Sequence, residues 1–211
     1  MSVLATLLTL ADSRLPAGSH AHSGGVEEAI AGALVVNVET LEAFLRRRIR
    51  SHGLVTASIA VAVQRGELGI ERAEHETDAR TPALAARQAS RSQGRGLIRL
   101  ARRVWPTACW TDLGARPHLA VASGRVGAVS GLDPQQNALA IVYTTMTTSA
   151  TAAQRLLALD PADVSALTFR LAQLCESTAA QAAAGLADLS DPLLDTLAER
   201  HARREQPLFV S

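Results

Sequence analysis

Apolar side chains recur along much of this chain at the spacing of amphipathic helices. Within residues 39–50 the apolar positions include Leu41, Phe44, Leu45 and Ile49. Their i, i+3, i+4, i+8 spacing places them on one face of a helix. Similar patterns predict further helices over residues 3–11, 25–34, 52–65 and 117–129.

Proline marks several predicted helix starts. Aspartate is a favoured N-cap, and proline is preorganised for the first helical turn. Asp-Pro pairs open three Ala- and Leu-rich segments, at Asp133, Asp160 and Asp191. Thr81-Pro82 predicts a further helix that runs to about Val104, where Trp105-Pro106 stops it, because a residue before proline avoids the α region.

The sequence offers no clear β-strand. The nearest candidate runs from Val121 to Val129, and its glycines and alanines suit close helix packing equally well. We therefore predict an all-α protein, a single-domain bundle of roughly 8–10 helices over residues 1–211. We expect a flexible C-terminal tail near residues 204–211, as is common at chain ends.

Composition narrows the function. Aromatic residues make up only 3% of the chain, so the core must be built mostly from Ala, Leu and Val. The net charge of +1 argues against a generic nucleic-acid binder. All 21 basic residues are arginine. Without lysine the chain can be neither a P-loop nucleotidase nor a Schiff-base enzyme.

The sequence favours a cytoplasmic protein. Cys109 and Cys175 form no C-x-x-C pair and suggest no disulfide framework. The N-terminus lacks the basic and long apolar regions of a signal peptide. No apolar stretch is long enough to predict a membrane span.

The most distinctive segment is Leu7–Ile30, in which glycines, histidines and a proline separate two apolar stretches. It resembles the N-terminal signature of the UreF family of urease accessory proteins. The matching residues are Leu7, Leu10, Asp12, Ser13, Leu15, Pro16, Gly18, His22, Ser23, Gly24 and Glu27.

The resemblance implies a scaffold rather than an enzyme. Proteins of this family dimerise, bind a UreD-like (also called UreH-like) accessory protein and recruit the GTPase UreG, so that nickel enters apo-urease. It implies no tightly bound cofactor, because the complex handles the nickel. The partner-binding residues that it implies are Arg14, Leu15, Pro16, Gly18, His20, His22, Ser23, Gly24 and Glu27, with Leu208 and Phe209 in the tail.

His20 and His22 form an H-x-H pair, and imidazole is a common ligand of nickel and zinc. A closed site usually needs four ligands, and only Asp12 and Glu27 lie nearby in sequence. We therefore regard His20 and His22 as weak metal candidates. A His-based metal carrier is an alternative function.

Five arginines recur every fourth residue through the predicted helix ending near Val104. They are Arg87, Arg91, Arg95, Arg99 and Arg103. On a helix this spacing makes one charged stripe, which would suit an acidic protein partner or simply face solvent. A less favoured alternative is an all-helical DNA-binding regulator, whose affinity would depend steeply on salt.

Overall fold

The structure, a computed structural model, describes residues 2–12, 15, 22–204 and 208. Within these residues the chain forms ten α-helices and no β-strand, which confirms the all-α prediction. They are α1 (Val3–Leu10), α2 (Val26–Ala31), α3 (Val38–Arg48), α4 (Leu54–Gln64), α5 (Ile70–Arg80), α6 (Leu84–Val104), α7 (Leu119–Ser130), α8 (Pro134–Leu157), α9 (Pro161–Ala184) and α10 (Pro192–Ala202). None of these helices is both long and apolar enough to cross a membrane.

The predicted Asp-Pro helix starts are confirmed. Asp133, Asp160 and Asp191 each cap the helix that follows, and a proline is the first residue of each helix. Their carboxylates accept hydrogen bonds from backbone N–H groups of the first turn, which have no partner within the helix. Local sequence therefore decides where α8, α9 and α10 begin.

Helix α6 begins at Leu84, slightly later than Thr81-Pro82 predicts, and takes its N-terminal acceptors from α10. Asp195 accepts a hydrogen bond from the backbone N–H of Ala83 at 3.1 Å. Glu199 accepts one from Ala85 at 3.0 Å. Carboxylates also suit the positive end of the helix dipole. The start of α6 is thus fixed by a distant part of the chain.

Helix α5 has no counterpart among the predicted helices. Its sequence, IERAEHETDAR, buries only Ala73 and Thr77, so it carries too narrow an apolar face to give a helical pattern. An ion pair one turn apart, Arg72 with Glu76, supports it locally. Its acidic side chains matter for the arginines of α6, as described below.

A π-helical turn, Ile49–Gly53, joins α3 to α4 without a break. The sequence pattern instead predicts two helices that separate near Ser51. Such π turns are rare and occur frequently at functional sites. Here the turn lies between Arg48 and Leu54, so the side chains of Arg48 and His52 leave the helix where it is locally widened.

Helix α4 forms the centre of the molecule. Every residue from Leu54 to Val61 is buried. One apolar cluster joins α4 to α3, α8 and α9, and a second joins it to α6 and α7. Packing this close requires small residues: a Cβ on Gly124 of α7 would lie 2.6 Å from the carbonyl oxygen of Ala60. This close packing of helices explains why the chain is rich in alanine and poor in aromatic residues.

Candidate functional site

The N-terminal motif lies largely in the interior. Among its described residues, His22, Ser23 and Glu27 are buried, while Leu15 and Gly24 are partly buried. The other predicted partner-binding residues, Arg14, Pro16, Gly18, His20 and Phe209, lie outside the described residues. Three of the predicted partner-binding residues are therefore buried rather than exposed at the surface.

Gly24 holds the motif against two other helices. Its φ is +63°, in the left-handed region that favours glycine. Its carbonyl oxygen accepts a hydrogen bond from Arg48 Nη1 at 2.7 Å, and a Cβ there would lie 2.5 Å from Arg48 Cζ. Ser149 Oγ of α8 donates to the neighbouring carbonyl of Ser23 at 3.1 Å. The motif needs glycine at this position for both conformation and space.

Glu27 joins the motif to the C-terminal end of the chain. Its Oε2 lies 2.8 Å from His201 Nε2 of α10, and the two side chains are only 5% and 3% exposed. Its other oxygen, Oε1, accepts a hydrogen bond from the backbone N–H of Leu208 at 2.9 Å. The two segments that the sequence suggested separately as partner-binding regions are thus brought together on one carboxylate.

Two internal cavities, each of about 100 Å³, meet at the π turn. The side chains shared by both linings are His22, Arg48, His52 and Gln93. Burial lowers the pKa of Arg48 to about 10, although the nearby Asp191 opposes this. Burial and the positive charge of Arg48 lower the pKa of His52 to about 3, so its imidazole is neutral at physiological pH.

Asp191 neutralises Arg47 rather than Arg48. Its carboxylate lies 2.7 Å from Arg47 Nη2 and accepts a hydrogen bond from Ser51 Oγ at 2.8 Å, while capping α10. Burial alone would raise the pKa of Asp191, but the hydrogen bonds from Arg47 and Ser51 outweigh it and hold that pKa below its ordinary value. Arg48 is left with a carbonyl as its only hydrogen-bond acceptor in the described chain.

A second buried network fixes the start of α7. His118 Nε2 lies 2.8 Å from Asp78 Oδ1, and Nδ1 lies 3.0 Å from Ser90 Oγ. Ser90 Oγ also accepts a hydrogen bond from the backbone N–H of Leu119 at 3.1 Å. We assign the Nε2–H tautomer, because Asp78 can only accept. Burial lowers the pKa of His118 despite its bond to Asp78, so this arrangement positions helices with a neutral imidazole.

The arginine stripe of α6 divides into two parts. Arg87 and Arg91 form ion pairs with the α5 carboxylates Glu74 and Asp78, which the sequence pattern could not anticipate. The other three arginines are exposed and have no ion pair among the described residues: Arg95, Arg99 and Arg103. The stripe available to a partner or to solvent is therefore shorter than its sequence suggests.

The metal-binding candidates gain no support. The described ranges contain no group of three His, Cys, Asp or Glu side chains that could hold a metal ion, and His20 lies outside them. Arg48 borders the same cavities as His22, and its positive charge opposes a divalent cation there. Metal binding by His20 and His22 stays a prediction, and the charge of Arg48 weighs against it.

The low pKa of His52 predicts an acid-sensitive fold. The unfolded imidazole titrates near pH 6.5 and the folded one near pH 3, so between these values the unfolded chain binds more protons. The contribution of His52 to the stability of the fold is therefore complete above about pH 6.5 and is lost as the pH falls below that value. We expect urea unfolding between pH 6 and 5 to show a loss of about 1 kcal/mol per pH unit from this group alone. His118 contributes in the same direction.

The variant that isolates this effect is His52→Gln, which should make the pH dependence shallower by roughly that amount. Arg48 and Asp191, the charges that act on His52, stay in place. The matched control is His75→Gln, because His75 is an exposed histidine on α5. An equal flattening in both variants, or none in His52→Gln, would contradict the assignment.

The chain is similar to known proteins over its whole length. The UreF family profile matches residues 35–172. Urease accessory proteins UreF from Mycobacterium marinum, Mycobacterium tuberculosis and Mycobacterium sp. (strain JLS) are 72%, 71% and 69% identical to this chain. Each alignment spans 211 residues and the full length of both proteins. The chain therefore belongs to the UreF family.

Proposed function

We propose that this chain, in its role in urease maturation, is a non-enzymatic scaffold. It binds a UreD/UreH-like accessory protein and recruits a UreG-like GTPase, and the assembly inserts nickel into apo-urease in the cytoplasm. Since the chain has no lysine, the P-loop chemistry of GTP hydrolysis belongs to another subunit. The scaffold carries no tightly bound cofactor and acts on neither nucleic acid nor membrane.

The observation that carries this proposal is the meeting of the motif and the tail at Glu27. A buried carboxylate that contacts both His201 and the Leu208 backbone makes the two segments one structural unit. The Leu208 side chain is 77% exposed, so an apolar group is presented beside the motif. Apolar anchors in such positions contribute strongly to protein interfaces when a partner desolvates them.

The exposed arginines of α6 offer a second surface, for an acidic partner. Arg95, Arg99 and Arg103 have no ion pair within the described part of the chain, whereas Arg87 and Arg91 are already paired. Complementary charge would mainly accelerate association and add specificity. We assign this surface to a protein rather than to DNA, because the pairing with α5 shortens the basic stripe.

We also propose that the scaffold is a homodimer, as the family resemblance implies. Phe169 on α9 is 83% exposed, and a large aromatic side chain in water favours association. Light scattering of the purified chain, alone and with its partners, measures the stoichiometry. A monomer in both states would contradict this part of the proposal.

The decisive experiment is co-expression with the UreD-like and UreG-like proteins of the same host, followed by affinity pull-down. We expect a complex with the UreD-like protein that then recruits the GTPase. Deleting residues 207–211 should weaken the first step, and Leu208→Ala should do so by about tenfold in Kd if its side chain is an anchor. Reversing the charge of Arg95, Arg99 and Arg103 together should weaken acidic-partner binding and its salt dependence.

The matched control is Leu84→Ala, which truncates another exposed leucine, on α6, that is 56% exposed. We expect this variant to bind the UreD-like protein as the wild type does. Equal affinity of wild type, the deletion and Leu208→Ala would overturn the tail as an interface. A folded wild-type chain that binds neither partner would overturn the scaffold itself.

A further inference from the structure

Arg48 is partly buried, and few groups of the protein compensate its charge. Its Nη1 donates to the Gly24 carbonyl, but its Nε is buried with no acceptor. It forms no ion pair in the described part of the chain, because Asp191 is occupied by Arg47 and Ser51. An arginine keeps its charge even when burial lowers its pKa to about 10. An uncompensated charge in such a place is costly unless an anion joins it.

The cavity beside Arg48 has the lining that an anion requires. This is the cavity that Leu97 and Asn137 line: no Asp or Glu is among its described lining residues, whereas Asp191 and Asp195 line the other cavity. The described lining includes side chains able to donate hydrogen bonds, namely His52, Gln93 and Thr148, together with apolar groups such as Leu97 and Val126. No hydrogen bond within the described chain occupies Gln93, Thr148 or His52. Donors and one cation therefore face the same enclosed space.

The π turn explains how Arg48 and His52 come to share this space. The two residues lie either side of the turn's middle, and both line both cavities. Between them, Ser51 donates a hydrogen bond to Asp191, and after His52 the turn ends at Gly53, which packs against Thr145 of α8. π turns inside long helices are rare, and they occur frequently at functional sites such as ligand-binding sites.

We propose that this cavity binds a small free oxyanion, held by the Arg48 guanidinium with His52 as a second donor. At about 100 Å³ the cavity has room for a few waters or one small polyatomic ion. The lining residues come from several helices of the bundle interior, so a diffusible ion fits better than a side chain of a docked protein. The proposal does not depend on the scaffold function.

The test is isothermal titration calorimetry of the full chain with sodium sulfate at constant ionic strength and neutral pH. We expect one saturable site in the wild type and at least about tenfold weaker binding in Arg48→Gln, which loses a charge-assisted contact. The matched control is Arg46→Gln, since Arg46 is a neighbouring arginine that is already paired with Glu42 outside the cavity. That control should bind sulfate as the wild type does.

A second readout separates binding from a purely structural effect. Sulfate beside Arg48 should raise the pKa of His52, which histidine NMR signals followed against pH will report, because the anion offsets the arginine charge. Should Arg48→Gln fail to fold, as judged by circular dichroism, His52→Gln takes its place and should weaken binding about threefold. Absence of saturable binding in the wild type, or equal binding in wild type and the folded cavity variant, would overturn the proposal.

Discussion

Replacing Gly94 with alanine is expected to lower the free energy of unfolding by about 3 kcal/mol, or to prevent stable folding altogether. Gly94 lies in the buried face of α6, where the chain before α7 crosses it. A Cβ at this position would lie 2.1 Å from the carbonyl oxygen of Pro117 and 2.8 Å from the carbonyl carbon of His118. Both obstacles are backbone atoms, so no side-chain rotation can relieve the overlap.

The damage should spread beyond the contact itself. Moving α6 away from residues 117–118 separates Ser90 from His118 and from the N–H of Leu119. His118 is fully buried, so a lost partner leaves a polar ring unsatisfied in the interior. Overpacking and an unsatisfied polar group therefore act together in this one variant, which is why we expect its effect to be among the largest.

Urea unfolding followed by circular dichroism at neutral pH measures this prediction. The matched control is Gly114→Ala, because a Cβ on Gly114 meets no atom within 4 Å. Both variants make the same change in the unfolded chain, so their difference isolates the contact with Pro117. Wild-type stability in Gly94→Ala would show that α6 and the Pro117 segment can separate freely, contrary to the packing described.

Local sequence signals account for the parts of the fold that short-range physics decides. The Asp-Pro starts at Asp133, Asp160 and Asp191 could be predicted because capping involves neighbours in sequence. The stop after Val104 could be predicted from Pro106 for the same reason. Helix α5 could not be predicted, since its buried face consists only of Ala73 and Thr77. Contacts with other parts of the fold supply the remaining stabilisation of this helix.

The candidate site also combines features that the sequence indicates with features that only the fold shows. The motif indicated that Gly24 and Glu27 are special, but nothing in the sequence pairs Glu27 with His201, which lies at the other end of the chain. Arg48 is one of four arginines within residues 46–50, and no local sequence signal assigns a separate partner to each of them. Only the fold shows that Arg47 meets Asp191 while Arg48 faces the cavities. The role of each charged side chain depends on partners that are distant in sequence, and the spacing of the arginines along the chain does not identify those partners.

Replacing Glu27 with alanine is the second change expected to have a large effect, of about 3 kcal/mol in stability together with weaker binding of the UreD-like protein. The substitution leaves His201 buried and removes the acceptor of the Leu208 N–H. The His201 ring then loses the hydrogen bond that it now forms with Glu27. The tail loses its attachment to the motif at the same time.

Glu28→Ala provides a matched control on the same helix. Glu28 pairs with Arg204 at 3.1 Å, but the arginine side chain is 36% exposed, so the loss should cost at most about 1 kcal/mol. Glu27→Gln keeps an acceptor oxygen for Leu208 and should be milder than Glu27→Ala in both measurements. Urea unfolding gives the stability, and pull-down with the UreD-like protein gives the binding.

The double variant Glu27→Ala with His201→Ala decides whether the pair is a unit. Because the two side chains contact each other and are both buried, their effects on stability should be non-additive by about 1 kcal/mol or more. Additive effects would mean that Glu27 acts mainly through the tail. Glu27→Ala could instead keep full stability and lose only partner binding. The carboxylate would then be an interface group rather than the link between the motif and α10. The proposed binding surface would in that case include Leu208 without depending on the contact between Glu27 and His201.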